Sequence, residues 1–485
     1  MTHFRSGAFL LPIVLLAAVL VPGRGASAGE MRYGTSRAVA AYFEKAKENE
    51  AALVAFLHKM PKGADLHNHP SGAVYAETLL DFALDAGLYF DRESRFFVKD
   101  VPGGPHFAPE EIRNAYWKRA EVLEALSLRN IERADESGHT RFFRSFDRFA
   151  AALPDEMAAL REVFVRAVNQ NVLCLELMSY IGSDPERAAR ADAIRREVLA
   201  DFAAGGRFRE LDVRFSHPLL RIDGDMDSFR RQVETAVAAA MRHPDSVAGI
   251  TMLQPEDDWT SQRYFHEQMR IIDGIMRPIE EAHRADPSNN PPPPRFNLHA
   301  GELTLEYATY ESMLDRISAS IDLGRASRIG HGTSIMWEDD VYGLLRGMRR
   351  RGIAVEICLS SSEGILKVAG GDRHPFRLYW DAGVPVVLGT DDEGVSRSNL
   401  TVDFAKAARW FDLSYGEMKW LAFSSLEYSF LPGESYFADG DFNRPRPDAR
   451  LLVECSRKAY LQCLLLNAFA EYEKGMEENI AAFGW

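Results

Sequence analysis

His67-Asn68-His69 places two imidazoles two residues apart, so on an extended strand both project from one face, close enough to share a single ion. Such a pair alone is weak evidence, because exposed or core-satisfied histidines are commoner. His299 and Asp391 change the odds, since each stands at the end of a short apolar run, as His67 does. Three neutral imidazoles and one carboxylate suit Zn²⁺, with room for a water whose pKa the ion lowers to about 7. Glu302, His331 and Asp392 stand close to these donors or at another run's end, and would complete a hydrolytic site. One ion per chain is expected: Val247 to Gln254 contains no Lys to bridge a second. No C-x-x-C pair is present, which excludes zinc sites built on H-x-E with P-C-x-x-C.

Donors spread from position 67 to position 392 converge only if the fold brings them together. Eight short apolar runs recur with helix-like segments between them: Ala64 to His67, Val172 to Met178, Leu211 to Phe215, Val247 to Leu253, Phe296 to His299, Arg328 to Gly330, Ile353 to Leu359 and Val384 to Leu388. Continuous apolar runs fit parallel strands covered on both faces, and eight of them predict an α/β fold, a (β/α)₈ barrel. All strand C-termini of a barrel open on one face, and the polar residues fall at those ends. About a hundred residues separate the first two runs, so a helical insertion over 89–140 is expected to overhang that face. Ser36 to His58 reads as a helix leading in, and 415–485 as C-terminal helices outside the barrel. Pro291 to Pro294 enters the fifth run from the opposite face and reads as a spacer.

The chain has 485 residues, 46% hydrophobic and 26% charged, which are ordinary globular values. With 57 Lys and Arg against 71 Asp and Glu, its charge of −14 repels a phosphate backbone, so a nucleic-acid polymer is not an expected partner. Residues 1–28 carry Arg5, an apolar run from Ala8 to Val21 and the triplet Ala26-Ser27-Ala28. That run is shorter than the ~20 residues a spanning helix needs, so a cleaved signal peptide and a secreted or periplasmic protein are expected, with no stable membrane span. The rest, 29–485, reads as one domain. Four cysteines, Cys174, Cys358, Cys455 and Cys463, do not make a disulfide framework in so long a chain.

Met60-Pro61-Lys62-Gly63-Ala64-Asp65-Leu66-His67-Asn68-His69, Leu298-His299-Ala300-Gly301-Glu302, Arg328-Ile329-Gly330-His331-Gly332 and Leu388-Gly389-Thr390-Asp391-Asp392 resemble the four signature blocks of the adenosine/AMP deaminase family of metal-dependent hydrolases. The similarity runs roughly from Pro61 to Phe430, and the P-K-G opening with the long early insertion resembles the secreted, growth-factor-type branch. The resemblance implies hydrolytic deamination of adenosine or a related 6-aminopurine nucleoside. His67, His69, His299 and Asp391 would hold one Zn²⁺. Glu302 would protonate purine N1, His331 would orient the attacking water, and Asp392 would bond N7. His69, Ser71, Gly301 and Asp392 would face the substrate. Homodimerisation is left open.

Three segments depart from the family pattern: His69-Pro70-Ser71-Gly72 has serine where an acid meets the ribose, Leu253-Gln254-Pro255-Glu256-Asp257 replaces a small-residue turn, and Ser360-Ser361-Ser362 follows Cys358 and Leu359. These touch sugar recognition more than metal chemistry. A mononuclear amidohydrolase acting on another bond, and a nucleoside-binding signalling protein that keeps the fold, are the competing readings. Intact Glu302 and a full donor set argue against the second, since a binding module gains nothing from a proton donor beside a metal.

Overall fold

The computed structural model describes residues 29–204 and 210–485; the expected signal segment lies outside the described residues. At its centre eight parallel strands follow one another in sequence order: β1 (Gly63–Asn68), β2 (Val172–Met178), β3 (Asp212–Leu220), β4 (Val247–Leu253), β5 (Arg295–Ala300), β6 (Ala326–His331), β7 (Ala354–Ile357) and β8 (Val386–Leu388). Helices lie between them, and the expected (β/α)₈ architecture is what forms. β3 runs further than its apolar run, pairing as far as Leu220 with Leu253. Ser216, His217 and Pro218 interrupt the hydrophobic pattern there without ending the strand, which is why periodicity stopped short.

The seam between β8 and β1 closes in three ways. At the N-terminal end the helix Tyr415–Glu427 wedges in, and the Ser425 hydroxyl accepts the Ala64 N–H at 2.7 Å. Midway, side chains stitch the gap: the Thr390 hydroxyl donates to Asp65 at 2.5 Å and accepts from the Asn68 amide at 2.9 Å. At the C-terminal end the backbone pairs directly, with Asp391 N–H donating to the His67 carbonyl (2.8 Å) and His69 N–H to the Asp391 carbonyl (3.2 Å).

The insertion departs from the all-helical expectation. It opens with a small antiparallel sheet in which Tyr89–Asp91 pairs with Phe97–Val98 and with His106–Phe107. Aromatic residues favour strands, and Pro102-Gly103-Gly104-Pro105 forbids a helix between them. Helices Pro109–Asn114, Tyr116–Ala125 and Gly138–Phe149 follow. Phe90, Phe97, Phe107, Ile112, Val122, Leu126 and Phe142 form a core of their own, apart from the barrel's.

The lead-in is two helices, Arg37–Lys47 and Glu50–Lys59, because Asn49 caps the second by accepting the Ala52 N–H. The C-terminal part is helical at Tyr415–Glu427, Ala449–Cys455 and Arg457–Phe483, but 428–448 holds only turns and one isolated bridge. Both ends are pinned together by the buried Glu473, which accepts from Lys419 (2.7 Å), Tyr415 (3.0 Å) and the Ser36 N–H (2.9 Å). All four cysteines are free, and no helix among the described residues is long and apolar enough to cross a membrane.

Candidate active site

His67 and His69 leave the end of β1, His299 ends β5, His331 ends β6, and Asp391-Asp392 follow β8, so the barrel brings together the donors the sequence scattered. One donor atom each from His67, His299, His331 and Asp391 lies within 4.8 Å of the others, and His69, Asp391 and Asp392 form an overlapping group. His69 Nε2 stands 3.1 Å from Asp391 Oδ1 and 3.3 Å from His299 Nε2; His67 Nε2 is 3.6 Å from the same Asp391 oxygen. His331 and Asp391 both adopt positive φ, at 62° and 57°, a conformation non-glycine residues hold only when their surroundings impose it. The imidazole of His67 lies in the barrel mouth because two neighbours have no side chain. A Cβ on Gly330 would come within 2.8 Å of its ring, and one on Gly389 within 2.8 Å of its own Cβ.

His67 is oriented from behind, where its Nδ1–H donates to Glu356 at 2.7 Å. Glu356 in turn accepts from Arg328 Nε, whose Nη2 reaches Glu176 at 2.6 Å. Nδ1 being used, His67 Nε2 is left to face Asp391, and it has no hydrogen-bond partner among the described residues. Both nitrogens of the buried His331 also lack one. Imidazole nitrogens without partners converging on a carboxylate, with His67 held from behind by Glu356, fit a bound divalent cation.

The electrostatics agree. Burial works against a charged His67, yet the carboxylates of Asp391, 3.6 Å from Nε2, and Glu356, bonded to Nδ1, hold it up to about 10. The field that retains that proton is what a divalent cation would exploit, releasing the proton as it binds. Burial, followed by repulsion from neighbouring imidazoles, drives His299 well below its ordinary value and His331 down to about 3, so both present neutral nitrogens. Asp391 is held well below the usual carboxylate range despite burial, because the imidazoles of His67 and His69 stand against it.

Glu302 is buried beyond the donors, 3.7 Å from His331 Nδ1 and 3.4 Å from the hydroxyl of Ser361 that donates to it. Burial first, then the charges of Asp391 and Glu256, push its carboxyl well above the usual range, which favours the protonated form. Asp392 is raised in the same way, by burial and then by Asp391. Its Oδ1 packs so closely on Gly72 that a Cβ there would lie 1.6 Å away, which excludes any side chain at position 72.

A cavity of about 520 Å³ opens over these groups. Its floor is His69, His299, Glu302, His331, Asp391 and Asp392, and Ser71 stands on its wall. Gly301 is not among its lining residues; with φ 86° it makes the turn that delivers Glu302. The opposite wall is largely apolar, with Phe142, Phe143 and Phe146 from the helix Gly138–Phe149 and Met178, Tyr180 and Leu253 from the barrel. The expected overhang was placed over 89–140, whereas the aromatics that line the cavity lie just beyond it; sequence reasoning also missed Glu156, whose carboxylate lines the same wall and accepts from Ser179. It also missed Glu356 and Glu176. The signal for both was present: each is a lone acid inside an apolar strand, where a charge survives only if paired.

A family model described as adenosine deaminase matches residues 119–437. The chain is 22% identical to adenosine deaminase 2 of Dictyostelium discoideum over 418 residues, covering 79% of this chain and 71% of that protein. It is 35% identical to aminodeoxyfutalosine deaminase of Streptomyces coelicolor over 143 residues, 29% of this chain and about a third (34%) of that protein's length. Among solved structures, the adenine deaminase of Arthrobacter aurescens superposes with a TM-score of 0.51 at 19% identity, covering 85% of this chain and 99% of that one.

Proposed function

The chain belongs to the adenosine deaminase family, and from that premise we propose that it hydrolyses the 6-amino group of a purine nucleoside, giving the 6-oxo product and ammonia. The observation that carries the proposal is the Glu302 carboxyl, 3.7 Å from His331, beside a converging His/Asp donor set on the floor of a cavity with an aromatic wall. The nitrogen and oxygen donors favour Zn²⁺, one per chain, with His67, His69, His299 and Asp391 as its holders. When bound, the ion supplies an activated water at neutral pH.

The remaining chemistry belongs to the side chains. C6 of an aminopurine is electrophilic enough for attack only if the ring takes a proton, and Glu302 holds that proton where N1 would lie. Asp392, whose carboxyl burial and Asp391 raise well above the usual range, would donate to N7, which has only a lone pair to offer. His331, neutral and buried, accepts from the attacking water and fixes its direction. Phe142, Phe143 and Phe146 exclude bulk solvent from above, strengthening each of these interactions.

Substrate choice follows from what lines the sugar end. Ser71 carries no charge, so the electrostatic veto that a carboxylate would place on a substituted 5′ position is weaker. A phosphate finds no clamp in the signature blocks: Lys62 is held below the barrel by the carbonyls of Leu57, Met60 and Gln170, and Arg328 is committed to Glu176 and Glu356. Arg144 reaches the cavity rim, but Asp147 and Glu156 line the cavity too. Neutral adenosines, including 5′-modified ones, are therefore preferred over AMP. Comparing kcat/KM for adenosine, 5′-deoxyadenosine, a 5′-thioether analogue and AMP tests this, with ammonia release as the signal. AMP outpacing all three neutral compounds would overturn the preference; no ammonia from any of them would overturn the activity. We also propose that 1–28 is removed on export, which N-terminal sequencing of the secreted or periplasmic protein checks by finding a start near Gly29.

A further inference from the structure

Glu256 lies in the turn after β4 that departs from the family pattern, and its side chain is fully enclosed (1% exposed). Its two oxygens accept consecutive backbone amides: Oε2 from Gly301 N–H and Oε1 from Glu302 N–H, each at 3.0 Å. Those amides form the turn that swings the chain from the end of β5 to the proton donor. Two buried guanidiniums stand on the other side of the carboxylate, Arg221 Nη1 at 3.6 Å and Arg316 Nε at 3.7 Å. Arg221 also donates to the His299 carbonyl at 2.9 Å and to the Met252 carbonyl at 3.2 Å. The backbone from His299 to Glu302 is thus gripped at both ends by one ion pair, whose arginine follows β3 and whose carboxylate follows β4. Nothing else among the described hydrogen bonds holds the Gly301 and Glu302 amides.

We propose that Glu256, balanced by Arg221 and Arg316, is a positioning residue that fixes the Gly301-Glu302 turn so that the Glu302 carboxyl meets the ring nitrogen of the substrate. A carboxylate is needed because it offers an acceptor to each of two adjacent N–H groups. Glutamine offers one acceptor and turns its NH₂ toward the other amide, so the turn must open. Aspartate keeps the charge that Arg221 and Arg316 require but falls one methylene short. Because the grip acts on the acid and not on the base-binding walls, its loss falls on turnover rather than on binding.

The inference rests on the deaminase reading, and a double-mutant cycle separates the two. With the nucleoside that turns over fastest in the panel above, Glu256→Gln should lower kcat by about 10²-fold with KM within ~3-fold and metal content unchanged. Glu256→Asp, which keeps the ion pairing if Gln does not fold, should lose about 10-fold. In a Glu302→Gln background either change should cost less than ~3-fold further, because the group being positioned is already gone. Losses that multiply in full in that background, or a rise in KM at constant kcat, would overturn the proposal and leave the activity standing. A wild-type protein that releases no ammonia from any aminopurine nucleoside would overturn the activity itself.

Discussion

A donor at the barrel mouth is held by side chains that never reach the cavity. His67 is that donor, since its Nδ1–H is spent on Glu356, and Glu356 is spent on Arg328. Replacing Glu356 with Gln removes the charge that fixes the ring and makes it a better donor, while leaving every expected ligand in place. Metal affinity should then fall by about 10- to 100-fold, read by competition with a graded series of chelators, with the fold intact by circular dichroism. Unchanged affinity would mean that His67 needs no support. The donors themselves were legible because each ends a strand, and strands announce themselves as apolar runs. Glu356 and Glu176 were hidden by the same runs, which swallow a single acid without breaking. Glu256 was visible only as a departure from a pattern. That it bonds two amides 45 and 46 positions away follows from the β4 and β5 turns meeting in space, and no local signal reports that.

Among the elements, all eight barrel strands were placed, with only the end of β3 read well short, and the insertion was not. Strands buried on both faces need continuous hydrophobicity, which survives in the sequence. The two- and three-residue strands of the insertion have no period to detect, and they are fixed by packing among Phe90, Phe97 and Phe107. The insertion also carries its own electrostatic tie. Glu136 accepts from Arg95, Arg141 and both terminal nitrogens of Arg148, just ahead of the helix Gly138–Phe149 that roofs the cavity. Burial raises its carboxyl pKa, but the bonds to Arg148 and Arg141 outweigh this and bring it from 4.5 down to about 2. With the folded value depressed, the stabilisation is complete above the unfolded value and is lost as pH falls from about 4.5 towards 2. Amide exchange in 138–149 should accelerate across that window, and Glu136→Gln should make it fast already at neutral pH and largely flatten its acid dependence. A roof that exchanges slowly at pH 7 in the variant would count against this tie.

At the scale of the whole molecule, the backbone pairs that close the barrel are made by ligand residues: Asp391 N–H to the His67 carbonyl, and His69 N–H to the Asp391 carbonyl. An ion held by those three side chains would clamp the last turn of the seam from the inside. Stripping it with a chelator should speed amide exchange at 67–69 and 389–391, while the β4–β5 junction on the far side, where Thr251 and Asn297 are register partners, keeps its protection. Equal change at both places would show that the ion does not act through the seam. The consequence reaches the life of the chain before it ever meets a substrate. A barrel that cannot finish its last junction presents two strand borders with unmet backbone groups, which invite pairing with another chain and cutting by proteases. Where the metal is scarce, supply would then govern how much protein survives as well as how much of it is active, and starvation for the ion would appear first as lost protein.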